Sequence, residues 1–331
     1  MTYKTRERKK GIDLIVSTDL FGKDKEHTLS DKVKKNPHLL NNTRNNLFYA
    51  IGADAELYYQ KNSISWQGAD NILSSQVACL NHLFLMRQNK NAVLNLLKTV
   101  SDDPDNFVEV IDMPEAYDPG KIQFEAVGGK INLLGEKRKS RGSFCTSIDA
   151  LIYAQHRNKK RYLVPIEWKY VESYDEKGKF DEVKRDSVTG EVKRNRYGRT
   201  TGEERRKRYY SLVEECPYLK TGITMYYSNY EPFYQLMRQT LWVWQTIRNK
   251  VAGFEADDYL HIHVIPEENH ELLNKQYSFS QKNMEQTWRE CLDHSGNCKY
   301  KIVSPKKLMS TQKQGTEEEK RLMEYLERRY W

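Results

Sequence analysis

The 331-residue chain has no long hydrophobic run. Nothing in it approaches the roughly 18 apolar residues of a membrane span. The charged opening MTYKTRERKKGIDL is not followed by the apolar stretch of a secretory signal, so a soluble, cytoplasmic protein is expected. Cysteine is scarce: Cys79, Cys145, Cys216, Cys291 and Cys298 are odd in number and lack a framework spacing, which suits a reducing compartment better than a disulfide scaffold. The stretch CLDHSGNC offers Cys291, His294 and Cys298, one ligand short of a structural four-ligand zinc site. There is no internal repeat and no sustained heptad pattern, which excludes solenoids and coiled coils. At this length a core forms without staples, as one large domain or two ordinary ones.

Charge and tyrosine are plentiful. The 54 Lys+Arg outnumber the 46 Asp+Glu by +8, an excess that suits a polyanionic partner without requiring one. The 22 tyrosines can stack on bases or sit half-buried with the hydroxyl at the surface.

Along the chain, residues 1–66 read as a polar extension, the first 45 irregular or in short helices. From Asp70, a plausible N-cap, the spacing of Ile72, Leu73, Val77, Leu80, Leu83, Phe84 and Met86 predicts one long helix or two. NFVEVIDM and KIQFEAVGG read as short strands. SFCTSIDALIYAQHRNKKRYLVPIEWKYVES, two apolar arms around a polar reversal, predicts an antiparallel hairpin. A charged, glycine-punctuated surface insertion follows at about 174–208. GITMYYSN then reads as a strand, EPFYQLMRQTLWVWQTIRNK as an amphipathic helix and DDYLHIHVIPEE as a strand. Residues 67–266 would thus form the core, and 267–331 a helical segment packed on it. The fold class expected is α/β (α+β), with a central mixed sheet flanked by helices.

The hairpin carries an unusual charge pattern. Glu167 and Lys169 share one face of a strand otherwise as apolar as LVPI, and the first arm holds Asp149, 18 residues earlier. Burying such charges is costly unless they pair with one another or with a metal. Two converging carboxylates repel, and a divalent cation relieves that by taking hard oxygen ligands from both. The string acid, any residue, lysine also occurs at Glu7, Asp175, Glu182, Glu191 and Glu318, but in hydrophilic segments where the charges are simply solvated. The competing explanation is a half-exposed strand with a salt bridge.

SIDALIY, the 18-residue gap and PIEWKY resemble the PD-(D/E)xK nuclease superfamily, the restriction-endonuclease-like group, as does the preceding LLGEKRKSRGSFCTSID. The resemblance implies a core in the order α-β-β-β-α-β and a nuclease acting on DNA. It implies that Asp149 and Glu167 bind Mg²⁺, with Mn²⁺ able to substitute, that the Trp168 backbone carbonyl adds a ligand, and that Lys169 is the catalytic lysine. Ile148 stands where many members have proline. Where many members have a glutamate on the first helix, this chain has Ser74, Ser75, Gln76 and Asn81, which makes Gln76 a candidate alongside its reading as helix polar face. Glu125 is a candidate additional acid or an ordinary strand carboxylate, and Glu172 is read the same way. Gln235, Arg238 and Gln239 either flank the site or face solvent while Leu236, Leu241, Trp242 and Ile247 pack on the sheet. His261 and His263 alternate on one strand face, as joint ligands or as ordinary strand histidines. Lys184, Arg185, Lys193, Arg194, Arg196 and Arg199 of the insertion, with Arg205 and Arg206, are candidate phosphate contacts. Cutting both strands of DNA would suit a homodimer. The alternatives are a non-catalytic nucleic-acid-binding protein on the same fold, or an interaction module with a core salt-bridge network.

Overall fold

The computed structural model describes residues 1–22, 35–66, 68–127, 132–136 and 145–331. Residues 137–144, in the stretch that precedes the hairpin, lie outside them. The helices used below are α1 (Tyr3–Ser17), α2 (Gly52–Lys61), α3 (Ser75–Leu83), α4 (Lys90–Val100), α5 (Thr201–Glu215), α6 (Thr221–Tyr227), α7 (Phe233–Arg248), α8 (Met284–Cys291) and α9 (Glu317–Arg329). The strands are β1 (Phe107–Val110), β2 (Ile122–Ala126), β3 (Ile148–His156), β4 (Arg161–Trp168), β5 (Asp258–Tyr259), β6 (His261–Val264) and β7 (Tyr300–Val303).

The seven strands among the described residues join one mixed sheet. β3 and β4 form the expected antiparallel hairpin at its centre, reversing where the His156 amide donates to the Lys160 carbonyl at 2.9 Å. β1 and β2 pair successively along one edge of β3, and β5 and β6 along the outer edge of β4. Each pair therefore fills one position in the sheet, and the order helix, three strands, helix, strand holds. β6 runs parallel to β4, and β7 parallel to β6.

Side chains alternate between the faces of the sheet, as a pleat requires. Ala150, Ile152, Ala154, Val164, Ile166 and Trp168 face one core with α3, α4 and α9. Leu151, Tyr153 and Leu163 face the other, with α5, α6, α7 and α8. This is the restriction-endonuclease-like layering: a mixed sheet between two helical layers.

The helix read from Asp70 begins instead at Ser75, with Ser74 as its cap, and three further segments depart from expectation. GITMYYSN is not a strand but lies mostly within helix α6. Both sides of β3 and β4 are already paired, so this segment docks on helices instead: the Thr224 hydroxyl and the Lys220 amide donate to the Cys291 carbonyl at the end of α8, at 3.1 and 2.8 Å. Residues 3–17, expected to be irregular or in short helices, form a 15-residue helix. Its Thr2 cap accepts from the Thr5 amide, and buried Tyr3 and Glu7 pack on Tyr170, whose hydroxyl donates to Glu7 at 3.1 Å. The segment after 267, read as helical, also supplies β7 to the sheet.

Candidate active site

The site is a consequence of strand register. In β2 and β3, Phe124 pairs with Ala150 and Ala126 with Ile148, so Glu125 lies beside Asp149. In β3 and β4, Ala150 pairs with Ile166, and one step further along Asp149 meets Glu167. Glu167 in turn pairs with His263 of β6. Three carboxylates and a histidine thus occupy one row across four strands. The β3–β4 ladder ends at this row, where the Asp149 carboxylate accepts the Trp168 amide at 2.8 Å. Asp149 is partly exposed, whereas Glu167 and Lys169 are 1% and 4% exposed, so the site opens to solvent beside Asp149.

Each buried charge has partners. Lys169 Nζ lies 2.5 Å from Glu167 Oε1 and donates to Gln235 Oε1 at 2.6 Å. Gln239 Nε2 donates to the other oxygen of Glu167. Gln235 and Gln239 stand one turn apart on α7, so a single helix face holds both members of the ion pair. From the opposite layer, Gln76 of α3 donates to Glu125 at 2.7 Å. Glu125 has a φ of +53°, a conformation that costs a non-glycine residue of order 1–3 kcal/mol and that clusters at functional sites. It is also 4% exposed.

The electrostatics express crowding of like charge. Burial, then Glu167 and Glu125, push the Asp149 carboxyl well above the usual aspartate value, against Lys169 and the Trp168 amide. Burial, followed by the same three acids, pushes the Cys79 thiol of α3 well up. Burial alone would push Lys169 down, but Glu167, with Tyr174, Glu172 and Asp149, holds its ammonium well above the ordinary lysine value. Burial and the nearby Lys169 depress His261 to about 3. The same causes, with His261 added, take His263 well below its ordinary value.

A second buried network braces the site. Glu136 accepts from the Thr146 amide and hydroxyl at 2.6 and 2.7 Å, from the Tyr209 hydroxyl at 2.7 Å, and from Arg238 at 2.8 and 3.0 Å. It therefore links the approach to β3, three residues before Asp149, to the α7 residue adjoining Gln239.

Asp149, Glu167, Lys169, Glu125, Gln76 and Gln239 are brought together, and Gln235, His263, Glu136 and Arg238 join around them. The solvent-facing alternative is overturned for Gln239, which is 1% exposed. The signal available in sequence was the spacing of Gln235 and Gln239 by four. Nothing in sequence pointed to Glu136, whose partners lie 10, 73 and 102 residues away. Glu172 caps the Tyr170 amide at 2.6 Å. Cys291 is buried and Cys298 exposed, and among the described residues no three His, Cys, Asp or Glu side chains are gathered so as to hold a metal. The two carboxylates and the Trp168 carbonyl still suit Mg²⁺, which binds through one or two carboxylates and keeps several waters. The raised Asp149 carboxyl marks a place where positive charge would be stabilising.

Removing the Gln239 amide isolates the role of α7. Gln239→Leu is expected to cost about 1–3 kcal/mol, because a buried Glu167 oxygen loses its donor. Urea denaturation monitored by tryptophan fluorescence measures it; an unchanged midpoint contradicts the bond's importance.

Residues 17–331 match the family model described as restriction endonuclease associating with ARP. No curated protein and no solved structure gives a significant match.

Proposed function

Since the chain belongs to the family of restriction endonucleases associating with ARP, a nuclease-type family, we propose that it is a metal-dependent endonuclease that hydrolyses phosphodiester bonds in DNA in a restriction or phage-defence role. The observation that carries this reading is the meeting of Asp149 with the end of β4, where its carboxylate accepts the Trp168 amide at 2.8 Å beside a Glu167 paired to Lys169.

Asp149, Glu167 and the Trp168 carbonyl would hold Mg²⁺ or Mn²⁺, which when bound supplies Lewis-acid charge for a phosphoryl oxygen and lowers the pKa of a coordinated water. The chain's own groups do the positioning. Asp149, the partly exposed acid of the row, orients the attacking water. Lys169, fixed by Gln235 and Glu167, directs an ammonium at the phosphate and stabilises charge that develops on it. Gln239 keeps the Glu167 carboxylate in its rotamer, and burial of the Lys169–Glu167 pair strengthens each of these interactions. The basic insertion, with Lys184, Arg185, Lys193, Arg194, Arg196 and Arg199, supplies phosphate contacts, which position nucleic acid but do not specify sequence. Two copies acting together would cut both strands.

Plasmid, linear duplex and RNA incubated with the protein in Mg²⁺, Mn²⁺ or EDTA test this. Cutting of DNA that requires the metal, with product ends mapped, is the expected result. Binding without cutting in any metal would instead favour a nucleic-acid-binding protein on this fold.

A further inference from the structure

The segment that opens α5 and the loop before it are strongly basic. Residues 182–208 hold ten Lys and Arg against five Asp and Glu, a net of +5 out of the chain's +8. Here a groove of about 210 Å³ is walled by Lys184, Lys193, Arg194, Arg199, Arg205 and Arg208, with Glu204 the one carboxylate lining it. Several of these cations are tethered, Lys193 to Asp186 at 3.0 Å, Arg194 to Glu203 at 3.6 Å and Arg199 to Glu204 at 3.0 Å. Such partly exposed pairs are weak, so phosphates can replace their carboxylates.

One wall of the groove is a turn with more internal bonding than a solvated loop requires. Asn195 Oδ1 accepts from the amides of Tyr197 and Arg199 at 2.9 and 3.0 Å. The Gly198 amide donates to the Asn195 carbonyl, and the Asn195 amide to the Arg199 carbonyl, both at 2.9 Å. The Arg194 guanidinium donates to the Gly198 carbonyl at 2.8 Å. Gly198 has a φ of +73°, which glycine adopts without strain. This scaffold displays Tyr197, 60% exposed, with the guanidinium carbons of Arg196 and Arg199 4.7 and 5.5 Å from its ring centroid. A lone exposed tyrosine needs no explanation. A largely exposed tyrosine held by a hydrogen-bonded turn, with two arginines near its ring and a basic groove lined by the neighbouring Asn195 and Arg199, has the parts of a stacking platform: a π face, planar cations and a channel for the backbone.

We propose that Tyr197 stacks on an unpaired base of a nucleic acid whose phosphates run in the adjoining groove, so that the protein prefers single-stranded or forked segments to closed duplex. In a continuous duplex both faces of every base are covered, and a phenol ring has nothing to stack on. One residue of the groove is linked to the catalytic row through Tyr234. Arg205 lies 6.0 Å from the Tyr234 ring, Arg238 lies 5.2 Å from the same ring, and the residue after Tyr234, Gln235, holds Lys169. The inference rests on the nucleic-acid reading above and adds which form of the polymer is engaged.

Equilibrium binding by fluorescence anisotropy, in the Asp149→Asn background so that no substrate is consumed, tests it with single-stranded, forked and blunt duplex oligonucleotides of one sequence. Tyr197→Ala is expected to weaken single-stranded and forked binding by about tenfold or more, with little change on blunt duplex. Tyr197→Trp is expected to restore the affinity. The dependence on salt should keep its slope in both variants, because stacking releases no counterions. Equal losses on all three forms, or no loss on any, overturn the proposal. Absence of binding by the parent protein to every form overturns it together with the nucleic-acid reading, and that outcome is distinct from a failure of Tyr197 alone.

Discussion

Asp149→Asn and Lys169→Met are both expected to lower metal-dependent phosphodiester cleavage by at least about 10²-fold, while shifting stability in opposite directions. Asp149 is a carboxyl that the fold holds against burial and against the charges of Glu167 and Glu125. Replacing it with the neutral isostere removes that repulsion, so the metal-free variant should unfold at a higher denaturant concentration than the parent. Lys169 compensates a Glu167 that is 1% exposed. Breaking a buried ion pair from one side typically costs about 3–5 kcal/mol, because the remaining charge is left without its counter-ion. Parallel assays of cleavage and urea denaturation give the answer. A variant pair that loses activity together but moves in stability apart is the signature of a catalytic row kept at the expense of the fold. Cleavage at the parental rate by Asp149→Asn would remove that residue from the chemistry, and a loss of stability in both would mean that the acids serve the core.

Acid lability is the second large effect. His82, His261 and His263 are 1%, 1% and 0% exposed. Burial depresses His82 and His261 to about 3 and takes His263 well below its ordinary value, with Lys169 adding to the shift in the latter two. The His82 ring is held by a 2.7 Å bond from Nδ1 to the Ala78 carbonyl, and His263 by one of 2.9 Å with the Tyr300 hydroxyl. All three are neutral in the folded chain and take up a proton near pH 6.5 when unfolded. Their contribution to stability is therefore complete above about pH 6.5 and is lost as the pH falls from there toward the folded values. Asp149 opposes this, since its raised pKa lets the folded chain bind a proton that the unfolded chain binds only near 3.8. The three histidines together outweigh that one proton, so stability falls with the pH below about 6.5. Denaturation midpoints measured between about pH 7 and pH 5 should fall accordingly. His82→Gln should remove about 1.4 kcal/mol per pH unit of that fall without altering cleavage at neutral pH. A flat profile would show that water reaches these rings.

The hairpin was legible because its charges break an apolar alternation, and Asp149 and Glu167 were brought opposite each other by nothing more than an 18-residue span with a polar reversal. Glu125 was ambiguous for a physical reason. Strand pairing with β2 is non-local, and a carboxylate in FEAVGG looks the same whether its neighbour is Asp149 or water. Gln235 and Gln239 were ambiguous because an amphipathic helix shows which residues are polar but not whether a buried charge waits beneath its polar edge. GITMYYSN was misread because β-branched and aromatic residues favour strands only where an edge is free to accept them.

The amino-acid sequence by itself determined the central hairpin, the two apolar faces that split around it, the acid–lysine pattern on β4 and the concentration of positive charge after it, since these follow from alternation and composition over neighbouring residues. Only the tertiary structure decided that Glu125, Asp149, Glu167 and His263 share one row, that glutamines from opposite layers grip its two outer acids, and that Glu136 ties the approach to β3 to α7. Those relations depend on strand register and helix placement between residues tens to more than a hundred positions apart, and packing of the two cores fixes them where local pattern cannot.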